Sequence, residues 1–107
     1  MFRPFVFVLL VTGSLHAESP FRVPQGFTIT KFAGDELTND TWAMAISDDG
    51  RVAVSGPGYI KVLLDTDNDG VADRAEVVSD KARNPHGLLW RGRDLLSVQP
   101  QGGFLHR

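Results

Sequence analysis

Residues 42–64 read WAMAISDDGRVAVSGPGYIKVLL. Three short apolar runs are separated here by two turn signals, Ser47-Asp48-Asp49-Gly50 and Gly56-Pro57-Gly58. The runs are rich in β-branched and small apolar residues, which favours strands, while Gly, Pro and Asp favour the tight turns between antiparallel neighbours. This stretch therefore predicts an antiparallel meander of three strands.

The same pattern continues on both sides of this stretch. Residues 27–32 alternate apolar and polar side chains with period two, and a further β-type run stands near Glu76 to Ser79. Residues 18–26 carry two prolines and end in glycine, which is typical of an extended lead-in. No stretch of ten residues shows a convincing helical period, so the chain is predicted to be all-β.

A second unit that resembles the first begins at His86. Residues 42–55 and 86–98 each hold an apolar strand, a turn with glycine and a second apolar strand, at an offset of about 44 residues. This spacing is typical of four-stranded β-propeller blades, and the alternative is coincidence between glycine-rich hairpins. We therefore predict about one and a half blades, the first over residues 27–80 and a partial second over residues 84–107. Fewer than two blades cannot cover their own faces, so the sequence predicts the beginning of a longer protein, an N-terminal fragment.

The first 17 residues differ from the rest of the chain. A cationic start with Arg3 precedes seven apolar residues, Phe5 to Val11, and no charge follows before Glu18. This order predicts a secretory signal peptide that is cleaved after Ala17. The alternative is a membrane-spanning helix, which needs about 20 apolar residues, roughly twice what this run and its continuation to Leu15 offer together. We expect an exported protein, periplasmic or secreted, with no membrane span in the mature chain.

The composition of the 107 residues excludes several classes of protein. The chain contains no cysteine, which rules out disulfide bonds and cysteine-ligated zinc, haem or iron–sulfur sites. Its formal net charge is −2, so no nucleic-acid partner is expected.

The sharpest chemical signal is the loop of residues 65–76, DTDNDGVADRAE. Counted from Asp65, it matches the calcium-binding pattern D-x-[DN]-x-[DN]-G-x₅-E in full. Ca²⁺ takes six to eight oxygen ligands at about 2.3–2.6 Å, and Gly70 permits the sharp turn that lets alternate side chains converge. The predicted metal ligands are the side chains of Asp65, Asp67, Asp69, Asp73 and Glu76, together with the carbonyl oxygen of Val71.

A strand rather than a helix is predicted before this loop, so a complete EF-hand is not expected. We predict an EF-hand-like loop between two strands, with a structural Ca²⁺ that orders the hairpin. The alternative is a solvated acidic turn without an ion. All the ligands come from one local segment, which disfavours a catalytic role for the ion.

Three other residues are candidates for function or for the core. His86 precedes Gly87 at the start of a predicted strand, where general bases are often found, although a lone histidine is more often structural. Trp42 and Trp90 are predicted as core residues between blades. The sequence contains no glycine-rich phosphate loop and no C-x-x-C-H haem motif.

The order of these motifs resembles a known family, the large secreted proteins of planctomycetes and relatives described as membrane-bound dehydrogenases. Their N-terminal β-propeller is similar to soluble quinoprotein glucose and sugar dehydrogenases, which use pyrroloquinoline quinone (PQQ). The resemblance spans nearly the whole chain after residue 17. It is carried by GFTITKFAG at 26–34, DGRV at 49–52, GYI at 58–60, DTDNDGVAD at 65–73 and HGL at 86–88.

The resemblance implies a propeller enzyme that binds Ca²⁺ and PQQ, oxidises a sugar or alcohol and passes the electrons to an acceptor. Quinoprotein dehydrogenases use a histidine base near a His-x-Gly-Gly segment. His86 with Gly87 is the nearest match, and Leu88 and Leu89 follow where a second glycine is expected. The expected function is the N-terminal part of an exported PQQ-dependent dehydrogenase-like propeller, inactive alone because such an active site draws on several blades. The alternative is a non-catalytic, calcium-stabilised binding or adhesion propeller, and a propeller fold alone does not choose between them.

Overall fold

The computed structural model describes residues 20–107. A boundary after Thr30 divides the chain into two units, and every strand among the described residues lies in the second unit, Lys31–Arg107. Residues 20–107 contain no helix, which confirms the all-β prediction. The seven strands are β1 (Ala43–Ile46), β2 (Val52–Gly56), β3 (Tyr59–Leu64), β4 (Arg74–Ser79), β5 (Gly87–Arg91), β6 (Asp94–Gln99) and β7 (Gly102–His106).

The strands form two antiparallel sheets in chain order, β1-β2-β3-β4 and β5-β6-β7. The first repeat unit therefore holds four strands and the second three. The β2–β3 hairpin pairs Gly56 with Tyr59, so that Pro57 and Gly58 form a two-residue turn. Gly58 has a φ of 75°, a backbone conformation that residues with a Cβ rarely adopt. This explains why glycine stands at this position of the turn.

One face of the first sheet packs under the segment that precedes β1. Val52, Val54 and Leu63 form this core with Tyr59 and Ala72, and Phe32, Ala33, Leu37 and Ala75 pack against it. The Tyr59 hydroxyl donates to the carbonyl oxygen of Asn39 at 2.6 Å. The Thr38 hydroxyl lies 3.0 Å from the same Tyr59 hydroxyl. Since a buried phenol needs a partner, this contact ties the covering segment to β3.

The other face of the first sheet packs against the second sheet. Ala53 and Ile60 are fully buried there with Leu95 of β6, and Ala82, Val78, Leu88 and Trp90 complete the cluster. The Trp90 indole N–H donates to the carbonyl oxygen of Ala45 at 3.1 Å, across the junction of the two sheets. The Ser55 hydroxyl donates to the carbonyl oxygen of Pro85 in the same region. The two sheets thus stack through an apolar contact whose polar groups are hydrogen-bonded.

Two predictions from the sequence are wrong. Residues 27–32 form no strand, because a strand is completed by backbone pairing with a neighbour, which an alternating pattern does not supply. Trp42 is not a core residue: its side chain is 39% exposed, since it stands just before β1. Trp90, on β5, lies between the two sheets as predicted.

The predicted signal peptide, residues 1–17, lies outside the described residues, as do the first two residues of the lead-in. Residues 20–26 form no strand or helix and end in a turn at Gln25-Gly26. Within residues 20–107 there is no helix with the length and apolar character needed to cross a membrane.

Candidate metal centre

The acidic loop joins β3 to β4 and is anchored at its base by the backbone. The Asp73 N–H donates to the carbonyl oxygen of Leu64 at 2.9 Å, which closes the hairpin. The Ala72 N–H donates to the carbonyl oxygen of Phe32 at 2.7 Å, and the Ala72 side chain is buried in the first core. The hairpin frame therefore holds both ends of the loop, while most of its acidic side chains face outward.

The Asp65 carboxylate organises the first half of the loop. One of its oxygens accepts the N–H of Asp69 at 3.1 Å, and the other accepts the N–H of Gly70 at 2.7 Å. The turn requires positive φ at two positions, 58° at Asn68 and 86° at Gly70. Asparagine and glycine tolerate this conformation better than other residues, so the sequence supports the tight turn.

The Asp73 carboxylate is held from the other side of the loop by Thr66. The Thr66 hydroxyl lies 2.8 Å from each carboxylate oxygen, and the Thr66 N–H lies 3.1 and 3.3 Å from them. Sequence analysis gave Thr66 no role, because a threonine between two aspartates has no spacing signal of its own. Its effect is to fix the last aspartate of the loop against the first turn.

Three carboxylates converge in this loop. One oxygen from each of Asp65, Asp67 and Asp73 lies within 4.8 Å of the others. Oxygens that share one Ca²⁺ at about 2.3–2.6 Å can lie at most about 5 Å apart, so this grouping fits a single ion. The donor set is all oxygen and acidic, which is the chemistry that calcium prefers.

The neighbouring carboxyl groups of the loop, Asp65 above all, raise the pKa of Asp67 to about 6. The main cause is the hydrogen bond with the Asp65 carboxyl, which favours a proton on Asp67, and partial desolvation acts in the same direction. The carboxylates of Asp69 and Asp73 raise the pKa of Asp67 further. The loop therefore retains a proton at a pH at which an ordinary aspartate is ionised.

The two aspartates at the ends of the cluster shift in the opposite direction. The Thr66 hydroxyl is the main cause of the lowered pKa of Asp73. For Asp65, desolvation acts to raise the pKa, but the N–H groups of Gly70 and Asp69 outweigh it and the net pKa is lowered. Both carboxylates are thus kept ionised, as metal ligands must be.

The pKa of Asp67 predicts a pH dependence of stability in the absence of divalent cations. Its value in the folded chain exceeds its ordinary value of 3.8, so the folded state binds more protons than the unfolded state between about pH 4 and 6. This contribution is present below about pH 4 and is lost as the pH rises through 6. Asparagine carries no charge at any pH, so Asp67→Asn should not lose this stability as the pH rises. We expect the variant to melt a few degrees above the unsubstituted chain at neutral pH, and we expect the difference to shrink towards pH 4.

Thermal melts in a chelator, recorded across this pH range, measure the effect. The control is Asp48→Asn, which removes an exposed aspartate from the turn between β1 and β2. Asp65 and Asp73 contribute a pH dependence of stability with the opposite sign. Because their pKa values are lowered in the folded chain, the stability they contribute is lost as the pH falls below about 4. Parallel pH profiles for the chain and for Asp67→Asn would contradict the proposed origin of the shift.

Two further predicted ligands, Asp69 and Glu76, are not among the three carboxylates that converge, although the Asp69 carboxylate lies close enough to Asp67 to raise its pKa. One oxygen of Asp69 accepts the N–H of Val71 at 2.9 Å, and Glu76 pairs with Arg74 at 3.2 Å. β4 already begins at Arg74, and an extended chain advances about 3.3 Å per residue, which carries Glu76 away from the loop. A helix in this position would turn Glu76 back towards the other carboxylates of the loop.

His86 lies at the opposite end of the sheets from the acidic loop. Its ring stacks on Trp42, with ring centroids 4.8 Å apart and planes 12° from parallel, and both side chains are exposed. No hydrogen bond joins the His86 ring to another side chain among residues 20–107. Sequence analysis missed the pair, although Trp42 and His86 occupy the same position in the two repeat units. The structure therefore places His86 on a ring stack, and no carboxylate in the described part of the chain forms an ion pair with it.

The surface next to His86 does not fit PQQ. That cofactor carries three carboxylates, so its site needs cationic or amide donors. The depression that begins at Gly87 is lined by Gly87, Leu88, Leu89, Leu96 and Val98, and its lining is almost entirely apolar. These residues alone offer no anchor for the cofactor.

The fold and the loop together define an all-β domain whose first sheet carries a candidate cation-binding hairpin. Residues 15–106 match the sequence profile of a family described as a domain of unknown function, DUF7133, and the chain belongs to this family. No curated protein and no solved structure matches the chain.

Proposed function

We propose that this chain is a calcium-stabilised unit of an exported β-propeller, in which the β3–β4 loop binds one Ca²⁺ as a structural ion. The observation that carries the proposal is the convergence of the Asp65, Asp67 and Asp73 carboxylates within 4.8 Å. The complete calcium-loop pattern in the sequence supports the same ligand.

The electrostatics of the loop favour a bound cation. Four aspartates stand within the nine residues 65–73, and the pKa of Asp67 is raised mainly by its hydrogen bond with Asp65 and by desolvation, with a smaller contribution from the charges of Asp69 and Asp73. A divalent cation removes the repulsion among these carboxylates and displaces the proton from Asp67. Calcium fits better than magnesium, because it accepts irregular geometry and higher coordination numbers, with water and backbone oxygens completing its shell.

The position of the loop supports a structural role for the ion. Asp65 directly follows β3 and Asp73 directly precedes β4, so an ion shared by the two joins the ends of both strands. β3 and β4 pair along five positions of the sheet. Calcium would therefore fix the hairpin whose strand β3 supplies Leu63 to one core and Ile60 to the other.

The arrangement of the sheets supports the propeller part of the proposal. The first sheet has four strands in chain order, the second repeats the first three, and the two stack face to face at the predicted offset. The stacking contact involves β1 and β2 with β5, as expected for neighbouring blades. A propeller of this kind buries each sheet face against the next.

The resemblance to quinoprotein dehydrogenases supports an oxidoreductase as the activity of the complete protein, acting on a sugar or alcohol with an external electron acceptor. Within this proposal His86 is the candidate base, and it is accessible at the start of β5. The apolar surroundings of His86 mean that PQQ would have to be anchored by residues other than those around it here. The unit itself is proposed to supply scaffold and calcium rather than turnover.

Titration calorimetry of the chain with CaCl₂ at neutral pH tests the calcium proposal. We expect one Ca²⁺ to bind per chain, and we expect Asp73→Asn to lower the affinity about tenfold or more, since it removes a charge from the converging set. Asp48→Asn is the matched control, because it removes the same charge from an exposed turn of the same sheet. Binding should be weaker at pH 5, where Asp67 holds its proton.

Two results would overturn the proposal. Absence of saturable binding at millimolar Ca²⁺ would mean that the loop is a solvated acidic turn. Equal affinity in Asp73→Asn and in the control would mean that calcium binds at another site.

A further inference from the structure

The segment that precedes β1 lies on the first sheet and also contacts the acidic loop. We name residues 32–41 the covering segment. Its side chains Phe32 and Leu37 pack on the first core, to which the loop contributes Ala72. Ala72 is the only buried residue of the acidic loop, with 7% of its surface exposed. The loop and the covering segment therefore share one apolar cluster.

A backbone hydrogen bond joins the two elements directly. The Ala72 N–H donates to the carbonyl oxygen of Phe32 at 2.7 Å. Near the other end of the covering segment, the Tyr59 hydroxyl donates to the carbonyl oxygen of Asn39 at 2.6 Å. Tyr59 begins β3 and the acidic loop follows the end of β3, so the two attachments lie at opposite ends of that strand. The covering segment is thus held at both ends, and the loop supplies one of the two attachments.

The hydrogen bond from Ala72 also orients a predicted calcium ligand. The Ala72 N–H and the Val71 carbonyl belong to the same peptide group, which is planar and trans. In such a group the N–H and the C=O point in opposite directions, so the bond to Phe32 directs the Val71 carbonyl away from the covering segment. The next residue, Asp73, supplies one of the three converging carboxylates. The contact therefore fixes the stretch of backbone that carries two of the predicted ligands.

We infer that the covering segment and the calcium site are coupled. Docking of the segment holds the loop in the form that binds Ca²⁺, and the bound ion in turn holds the segment on the sheet. This inference rests on the proposed calcium site and adds to it a regulating element that contains none of the ligands. Such coupling is reciprocal, so a change that weakens docking of the segment also weakens calcium binding. Calcium thereby controls access to the apolar surface that the segment covers.

Titration calorimetry of the full chain with CaCl₂ tests the coupling. Leu37→Ala removes an apolar contact of the covering segment and leaves every predicted ligand in place. It should lower the Ca²⁺ affinity about threefold or more, because the apparent affinity falls with the fraction of chains whose segment is docked. Leu88→Ala is the matched control, since it removes the same atoms from a half-buried leucine in the cluster between the two sheets. The control should bind Ca²⁺ like the unsubstituted chain.

Backbone amide NMR spectra of the unsubstituted chain, recorded during the same titration, give a readout that a general rise in stability does not move. The Ala33 amide shares its peptide group with the Phe32 carbonyl that accepts the bond from Ala72. The amide signals of Ala33 and Ala72 should shift together as Ca²⁺ is added, while those of β5 and β6 should stay in place. This titration needs no variant, so it decides the question even if Leu37→Ala does not fold.

The outcomes separate this inference from the proposed function. If Ca²⁺ binds and moves the signals of the acidic loop but not those of the covering segment, the coupling is overturned and the calcium site stands. Equal affinity in Leu37→Ala and Leu88→Ala would overturn the coupling as well. Absence of saturable binding would overturn both the calcium site and the coupling.

Discussion

Replacing Ile60 by alanine should destabilise the chain by about 2–5 kcal/mol, the range expected for removing a large aliphatic side chain from a packed core. Ile60 is fully buried on β3, in the cluster between the two sheets with Ala53 and Leu95. Small neighbours such as Ala53 cannot move in to refill the space, so most of the cavity should persist. A domain of this size has a total free energy of unfolding of about 5–15 kcal/mol, so the loss is a large share of it.

Urea denaturation followed by tryptophan fluorescence measures this loss. Val77→Ala is the matched control, because Val77 is a β-branched residue on the adjacent strand β4 but is 60% exposed, and its truncation should change the stability by less than about 0.5 kcal/mol. If Ile60→Ala does not fold, Ile60→Val should still be measurable, with an expected cost of about 0.5–1.5 kcal/mol. Similar costs at Ile60 and Val77 would mean that the inter-sheet cluster is not a core.

Saturating Ca²⁺ should raise the melting temperature of the chain by about 10 °C or more at neutral pH. An ion at about 100 times its dissociation constant stabilises the folded state by about 2.7 kcal/mol, and each kcal/mol moves the midpoint of a domain this small by about 4–8 °C. The stabilisation arises because the cation removes the repulsion among Asp65, Asp67 and Asp73 and joins the ends of β3 and β4.

Differential scanning calorimetry with and without Ca²⁺ measures this shift. Asp73→Asn should lose most of it, while Asp48→Asn should retain it. At pH 5 the shift should be smaller, because the pKa of Asp67 is about 6 and calcium must then displace a proton. A shift of equal size in both variants would place the ion elsewhere and would contradict the assignment of the loop.

The elements that could be predicted from the sequence are those whose cause is local. The turn at Pro57-Gly58 follows from residue types that suit a two-residue hairpin, and the strands on either side follow from their β-branched and apolar residues. Asp65 and Asp67 meet because they stand two residues apart on a tight turn that Gly70 permits. Calcium binding itself stays a prediction until it is measured.

The errors occur where a contact distant in the chain decides the result. Residues 27–32 have the alternation of a strand and form none, since alternation does not provide a pairing partner. Glu76, whose role as a ligand stays a prediction, completes the calcium pattern in sequence, while pairing of β4 with β3 makes the chain extended there and places Glu76 beside Arg74. The calcium pattern describes a spacing, and the distance that this spacing spans depends on whether the chain is helical or extended.

By itself, the sequence determined the all-β class, the hairpins on either side of the turns at 47–50 and 57–58, and the tight acidic turn. These depend on side-chain alternation and on the turn residues, which act over a few positions of the backbone. Only the tertiary structure decided which carboxylates converge, that Thr66 holds Asp73, that Trp42 stacks on His86, and which apolar faces are covered. Such contacts join residues whose separation in space depends on how the sheets pair and stack, and no local pattern encodes that distance.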